Sequence, residues 1–211
     1  MTIQTILFDL DGTLIDTNKL INESFYHTFK QFGLEFTHDE VISFNGPPLR
    51  DTFEKIDLDK AEAMITTYRE HNLEHHDDYV KAFPNVKETL KELKNRGIQL
   101  GIVTTKMRGT AIRGMKLTGI YEYFDTIIAL DDISNPKPHP EPVLRAMKNI
   151  HANPETTLMV GDNHHDIESG QNAEVKTAGV AWSLKGEDVL QKYKPTYMLH
   201  DMKDLLEIIG V

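Results

Sequence analysis

TILFDLDGT, at residues 5–13, begins as a short apolar run and ends in an acidic turn. The run is rich in β-prone residues and leaves no room for a preceding helix, which predicts a buried strand. Asp9 and Asp11 follow where the strand opens, and Gly12 permits a sharp reversal of the chain. Two carboxylates separated by one residue can divide acid–base and nucleophilic roles. Taken alone, an acidic turn without a catalytic role is equally consistent with these residues.

Short apolar segments that end in polar turns recur along the chain, with helical segments between them. They lie at residues 100–104, 126–130, 157–160 and 177–180. Asn85 and Glu88 have the spacing of a helix-capping pair, and Gly97 lies where that helix should end. Such alternation predicts parallel strands joined by right-handed crossovers. The fold class is therefore α/β, with a ligand expected at the carboxyl ends of the strands.

Residues 16–81 interrupt this alternation. They contain helical segments and no convincing strand, with a break at residues 45–48 and a long amphipathic run from about residue 57 to residue 79. An insertion directly after the first strand would stand above the carboxyl end of that strand. The sequence therefore predicts a catalytic core made of residues 1–15 and 82–211, covered by a helical cap of residues 16–81.

Composition excludes several classes of protein. The chain has 23 basic and 33 acidic residues, a net charge of −10, which argues against binding to a nucleic-acid backbone. The absence of cysteine excludes a disulfide scaffold, a thiol nucleophile and cysteine-ligated metal sites. No signal peptide and no apolar run of about 18 residues is evident. We expect a cytoplasmic protein that binds neither nucleic acid nor a membrane; the oligomeric state is left open.

Three further polar clusters lie after predicted strands or in the loops beyond them. Thr104, Thr105 and Lys106 end one strand, whereas Lys137 lies between two prolines that stiffen its backbone. The last cluster, at residues 161–166, reads GDNHHD and places two acids four residues apart. A lone lysine in such a loop is usually only solvated. Together, however, the clusters supply oxygen ligands for a divalent cation, a hydroxyl group and a lysine, the set that a phosphoryl group requires.

These four clusters, in this order, resemble the motifs of the haloacid dehalogenase superfamily of phosphotransferases. The resemblance covers nearly the whole chain and implies a Rossmann-like parallel sheet with a helical cap inserted after the first motif. It implies that Asp9 is the nucleophile and that Asp11 protonates the leaving group and then activates water. Thr104 would bind the phosphoryl oxygens, and Lys137 would neutralise charge. Dehalogenases of the superfamily lack the second acid, so Asp11 favours phosphoryl transfer.

The same resemblance implies a Mg²⁺ site. Its ligands would be the carboxylates of Asp9 and Asp162 and the backbone carbonyl of Asp11, with Asp166 as an accessory ligand or support. Oxygen ligands of this kind suit a hard divalent cation. We therefore expect Mg²⁺ as the cofactor and a small phosphate-containing molecule as the substrate.

The identity of that substrate depends on the predicted cap. NGPPLR, at residues 45–50, resembles the cap loop of phosphoglycolate phosphatases, which makes Arg50 a candidate for binding a second anionic group. A solvated arginine at a helix start is equally consistent. Thr105 and Lys106 are further candidates for substrate binding. Several stretches are more similar to inorganic pyrophosphatases of the superfamily, so hydrolysis of pyrophosphate is the leading expectation. A phosphatase for phosphoglycolate or another small phosphomonoester, a sugar-phosphate mutase and a non-catalytic regulatory protein are the alternatives.

Two positions depart from the pattern of the superfamily. Asn163 replaces the serine that is common after the acid of the last motif, and Glu174 stands where a glycine is usual. A side chain at that glycine position resists a positive φ angle. The tract EHHDD at residues 74–78 is expected to be a solvated helix face or to lie at the edge of the cap, rather than to form a second metal site.

Overall fold

The computed structural model describes residues 2–210, in which a parallel six-stranded sheet has the order β5-β4-β1-β6-β7-β8. The strands, including a separate two-stranded ladder, are β1 (Thr5–Phe8), β2 (Ile15–Asp16), β3 (Lys81–Ala82), β4 (Gln99–Val103), β5 (Thr126–Ile128), β6 (Thr157–Gly161), β7 (Lys176–Val180) and β8 (Tyr197–Leu199). Strand β1 lies between β4 and β6, where the strand order reverses direction. In an open α/β sheet, that reversal is where ligands bind.

Successive side chains of β1 enter different apolar clusters. Ile6 and Phe8 belong to the larger cluster, and Leu7 belongs to the smaller one with Met159. This alternation follows from the two-residue period of a strand, and it shows that both sheet faces are buried. The helices that cover the sheet are α5 (Val86–Asn95), α6 (Arg108–Leu117), α7 (Glu141–Asn149), α8 (His164–Asn172), α9 (Glu187–Gln191) and α10 (Asp204–Ile208).

The remaining helices follow the β1 turn and pack around an apolar cluster of their own. They are α1 (Asn18–Gln31), α2 (His38–Ser43), α3 (Leu49–Ile56) and α4 (Ala61–Tyr79). Phe25 and Phe29 of α1 pack against Phe53 of α3 and Tyr68 of α4. The short β2–β3 ladder pairs the two ends of this helical segment, with Ile15 opposite Ala82. Within residues 2–210, no helix is long and apolar enough to cross a membrane.

The five strands expected from the sequence are all present, but one local expectation is wrong. Asn85 does not cap α5 with its side chain; its φ angle is 61°, and its Nδ2 atom donates instead to Oδ2 of Asp201 at 2.7 Å. Asparagine tolerates the left-handed region, and there its side chain is directed to another element. In the tract at residues 74–78, four residues are exposed or partly exposed, whereas His76 is fully buried beside Gly114 of α6, which has no side chain.

Candidate active site

The carboxyl ends of β1, β4 and β6 and the loop before α7 enclose one side of a cavity of about 490 Å³. Helices α1, α3 and α4 border its other side. Every site residue expected from the sequence borders this cavity: Asp9, Asp11, Arg50, Thr104, Thr105, Lys106, Lys137, Asp162 and Asp166. The parallel topology thus brings four clusters that are distant in the sequence to one place.

Lys137 is the centre of the buried part of the site. Its Nζ atom donates to Oδ1 of Asp9 at 2.7 Å, to Oδ1 of Asp166 at 2.5 Å and to the carbonyl of Val103 at 3.0 Å. The residue is only 6% exposed. Burial lowers the pKa of Lys137, but Asp166 and Asp9 outweigh burial and raise it overall, so the ammonium stays charged.

Asp9, Asp162 and Asp166 form an acidic group whose candidate ligand atoms lie within 4.8 Å of one another. Burial raises the pKa of Asp9 to about 7, since the charge of Lys137 offsets burial and the repulsion of Asp166 only in part. The pKa of Asp162 is also raised well above its usual value, by burial and by the charges of Asp9 and Asp166. One lysine therefore compensates the negative charge of the three carboxylates only in part. Carboxylate oxygens are the ligands that suit a hard divalent cation such as Mg²⁺.

Glycine is required where the first turn passes this group. Gly12 has a φ angle of 78°, and a Cβ atom there would lie 2.4 Å from Oδ2 of Asp162. Oδ1 of Asp162 accepts a hydrogen bond from Oγ1 of Thr13 at 3.3 Å. The DGT turn thus permits the close approach of Asp162 and also orients its carboxylate.

Asp166 has both carboxylate oxygens engaged by protein donors. Oδ1 accepts from Lys137, and Oδ2 accepts from the backbone N–H of Asn163 at 3.0 Å, which closes a capping box at the start of α8. This arrangement suits a residue that orients Lys137 and the α8 terminus.

Asp11 lies outside the acidic group. Lys106 Nζ lies 2.8 Å from its Oδ1 and 3.1 Å from its Oδ2, and Oγ1 of Thr17 donates to Oδ1 at 2.8 Å. Thr104 Oγ1 accepts from the backbone N–H of Lys106 at 3.2 Å, which ties this cation to the end of β4. Sequence reasoning missed Thr17 and the pairing of Lys106 with Asp11, because no spacing rule links these positions.

The candidates for substrate binding have different surroundings. Thr105 Oγ1 donates to the carbonyl of Gly46 at 3.0 Å. Arg50 borders the cavity, but its guanidinium is ion-paired with Glu62 and lies 3.3 Å from Oε1 of Glu54. Its charge is therefore partly compensated by acids of the helical segment.

The loop after β7 provides a support that the sequence reasoning did not include. Ser183 Oγ donates to the backbone carbonyl of Asp162 at 2.6 Å and accepts from the backbone N–H of Lys185 at 3.2 Å. Burial lowers the pKa of Lys185, although Asp162 and Asp166 oppose this shift. The sequence feature that could have identified Ser183 and Lys185 is the predicted strand at residues 177–180. Its carboxyl end lies at the same edge of the sheet as the other clusters.

The chain is similar to known proteins in both sequence and fold. Residues 6–180 match the model of the haloacid dehalogenase-like hydrolases. A protein of Oceanobacillus iheyensis named pyrophosphatase PpaX is 60% identical over 210 residues, which cover 100% of this chain and 98% of that protein. A protein of the same name from Anoxybacillus flavithermus is 53% identical, with 100% and 99% covered. The structure of a haloacid dehalogenase-like family hydrolase from Streptococcus pneumoniae is similar, with a TM-score of 0.86 at 28% identity and 97% of both chains covered.

Proposed function

The chain belongs to the haloacid dehalogenase-like hydrolases, and on that premise we propose that it hydrolyses inorganic pyrophosphate to two phosphate ions. The phosphoryl group is transferred first to Asp9 and then to water. The observation that carries this proposal is the contact of Asp9 with Lys137, 2.7 Å apart in a buried acidic group that borders the cavity. Two relatives named pyrophosphatase, which match the whole chain at 60% and 53% identity, support pyrophosphate as the substrate.

Asp9 carries out the first step as a nucleophile. Lys137 holds Oδ1 and so orients the carboxylate, which leaves Oδ2 to attack the nearer phosphorus atom. As the new bond from Asp9 to phosphorus forms, the bridging P–O bond breaks, and the second phosphate departs with that electron pair. The departing oxygen takes a proton from the carboxyl group of Asp11.

Asp11 then serves as the base of the second step. Its carboxylate removes a proton from water as the water oxygen attacks the phosphorus atom of the aspartyl-phosphate. The bond between phosphorus and Asp9 breaks, which releases the phosphoryl group as the remaining phosphate ion and restores both carboxyl groups to their starting state. Lys106 and Thr17 hold the Asp11 side chain between the two proton transfers.

A Mg²⁺ ion fits the proposed reaction. Asp9, Asp162 and the backbone carbonyl of Asp11 would hold it, and Asp166 would support them. When bound, the ion supplies positive charge that stabilises the phosphoryl oxygens during transfer. Thr104, which is 3% exposed at the end of β4, would donate its hydroxyl hydrogen to the same oxygens.

The helical segment of residues 16–81 is proposed to act as a cap over a core formed by residues 1–15 and 82–211. Its helices have a separate apolar cluster, and the two-residue strands β2 and β3 connect it to the core. Both features suit a unit that moves on two short connections. A cap would exclude water from the aspartyl-phosphate until the second step.

The test is a comparison of specificity constants for pyrophosphate and phosphoglycolate, measured by phosphate release with Mg²⁺ and with a chelator. We expect a clear preference for pyrophosphate, dependence on Mg²⁺, and loss of turnover in Asp9→Asn. A preference for phosphoglycolate would overturn the substrate proposal. Failure to release phosphate from any ester or anhydride would favour a mutase or a regulatory protein.

A further inference from the structure

The loop between α2 and α3, residues 44–48, is fastened to the active-site edge of the sheet at two consecutive peptide groups. The carbonyl of Asn45 accepts from Nδ2 of Asn163 at 3.0 Å. The carbonyl of Gly46 accepts from Oγ1 of Thr105 at 3.0 Å. We call this segment the α2–α3 loop. It is therefore held by two donors that follow two different strands, β6 and β4.

Both donors are next to residues of the proposed chemistry in the sequence. Asn163 follows Asp162 and is only 5% exposed, and Thr105 follows Thr104. The Oδ1 atom of Asn163 accepts from the backbone N–H of His165 at 3.3 Å, as expected of a residue that caps α8. With Oδ1 directed to the helix, Nδ2 faces the α2–α3 loop.

Gly46 permits this close approach. Its φ angle is 113°, and a Cβ atom there would lie 2.2 Å from Nδ2 of Asn163. Pro47 and Pro48 follow, and their fixed φ angles restrict the conformations available to the loop. The loop is thus shaped to meet the core at these two donors, and its residues border the same cavity as Asp9.

We propose that Asn163 and Thr105 are positioning residues that hold the α2–α3 loop over the cavity and restrict the leaving group to one as small as phosphate. This inference rests on the proposed function. The alcohol part of a larger phosphomonoester would have to extend past the loop, so releasing the loop should admit it. The serine that is usual at position 163 has a shorter side chain and no amide donor to reach the Asn45 carbonyl.

Four variants separate this role from general damage to the fold. Asn163→Ser retains an acceptor for the start of α8 but removes the amide donor. Thr105→Val removes the hydroxyl and keeps the side-chain shape, whereas Thr105→Ser keeps the hydroxyl. Thr66→Val is the matched control, because Oγ1 of Thr66 donates at 2.9 Å to the backbone carbonyl of Glu62 within its own helix.

The first measurement is amide hydrogen exchange of the peptide covering residues 44–52 in the intact protein without substrate. Loss of one neutral hydrogen bond should speed exchange there about two- to tenfold in Asn163→Ser and in Thr105→Val. Thr105→Ser and Thr66→Val should exchange like the unmodified protein. Unchanged exchange in both Asn163→Ser and Thr105→Val would show that these residues do not hold the loop, whatever the substrate proves to be.

The second measurement is the ratio of the specificity constants for pyrophosphate and p-nitrophenyl phosphate with Mg²⁺ present. We expect the ratio to fall about two- to tenfold in Asn163→Ser and in Thr105→Val. The KM for pyrophosphate should rise, and the specificity constant for the larger ester should increase. Thr105→Ser, which keeps the hydroxyl group, should have the same ratio as the unmodified protein. Faster exchange with an unchanged ratio would overturn the role in specificity. If the unmodified protein does not hydrolyse pyrophosphate, the proposed function fails, and the exchange experiment still decides whether the loop is fastened.

Discussion

Lys106 and Asp11 form an ion pair beside the cavity, with Nζ 2.8 Å from Oδ1 and 3.1 Å from Oδ2. Both side chains are largely shielded from solvent, at 12% and 19% exposure. Thr17 adds a hydrogen bond at 2.8 Å, so the carboxylate is held in one orientation. Asp11 is thereby kept apart from the acidic group of Asp9, which separates the proposed acid and base from the proposed nucleophile.

Asp11→Asn should separate the two steps of the reaction. The leaving group of the first step is phosphate, a much weaker base than an alkoxide, so that step depends less on an acid than the second step depends on a base. The second step needs a base, and its loss should slow turnover about 10²- to 10⁴-fold. Rapid-quench measurement with pyrophosphate should show a burst of one phosphate per enzyme followed by slow release. Slow turnover without a burst would contradict this division of roles.

Asp162→Asn should make the metal-free protein more stable and abolish its response to Mg²⁺. The substitution removes a partly buried charge that is repelled by Asp9 and Asp166. A gain of about 1 kcal/mol corresponds to a rise in Tm of about 2–4 °C for a chain of this size. Thermal unfolding with and without Mg²⁺ measures both effects.

Asp188→Asn, on the exposed side of α9, is the control and should leave the Mg²⁺ response intact. If Asp162→Asn retained the full shift of Tm with Mg²⁺, the proposed ligand role of Asp162 would be wrong.

His76 should make folding stability depend on pH. Burial lowers the pKa of His76 from its usual 6.5, with help from Lys106 and Arg113, whereas Asp77 opposes this shift. The unfolded chain therefore binds a proton that the folded protein does not, so stability should decline as the pH falls below the unfolded value. The slope from one such group is at most about 1.4 kcal/mol per pH unit.

Urea unfolding at a series of pH values, compared between the unmodified protein and His76→Gln, measures this contribution. The variant should lose part of its sensitivity to acid. If the free energies of unfolding of the two proteins changed with pH in parallel, His76 would not be the cause of the loss of stability in acid.

Glu174→Gly should stabilise the protein. Glu174 has a φ angle of 59° at the end of α8, where Val175 N–H bonds to the Gly170 carbonyl and Glu174 N–H to the Gln171 carbonyl, both at 3.0 Å. Glycine is favoured at this position because it has no Cβ atom. Glycine removes a left-handed penalty of about 1–2 kcal/mol but loses about 0.4–1 kcal/mol more conformational entropy on folding. The expected net gain is therefore about 0.5–1 kcal/mol in the free energy of unfolding. Glu168→Gly, inside the same helix, should instead cost about 1 kcal/mol. A loss of stability in Glu174→Gly would contradict the strain argument.

The sequence predicted those features that have a local signal. Apolar runs of four or five residues identified five strands, and polar residues at their ends identified the candidate site. Parallel topology then accounts for contacts such as that between Asp9 and Lys137, which are 128 residues apart. Such contacts are expected because the carboxyl ends of parallel strands meet at one edge of the sheet.

Features without a local signal were missed. Strand β8 (Tyr197–Leu199) has three residues at the sheet edge, and only Leu199 is buried, so its pattern is not distinctive. Strands β2 and β3 have two residues each. The contacts of Asn163 with Asn45 and of Lys106 with Asp11 depend on how distant segments are oriented, which residue spacing does not encode.

The proposed role of Asp9 is tested by locating the phosphoryl group on the protein during turnover. The enzyme is mixed with pyrophosphate and Mg²⁺, quenched in acid within one turnover and digested, and the peptides are sequenced by mass spectrometry. We predict a phosphoryl group on Asp9, absent when Asp9→Asn is treated in the same way. Turnover of pyrophosphate with the phosphoryl group on another residue, or continued turnover by Asp9→Asn, would show that Asp9 is not the nucleophile.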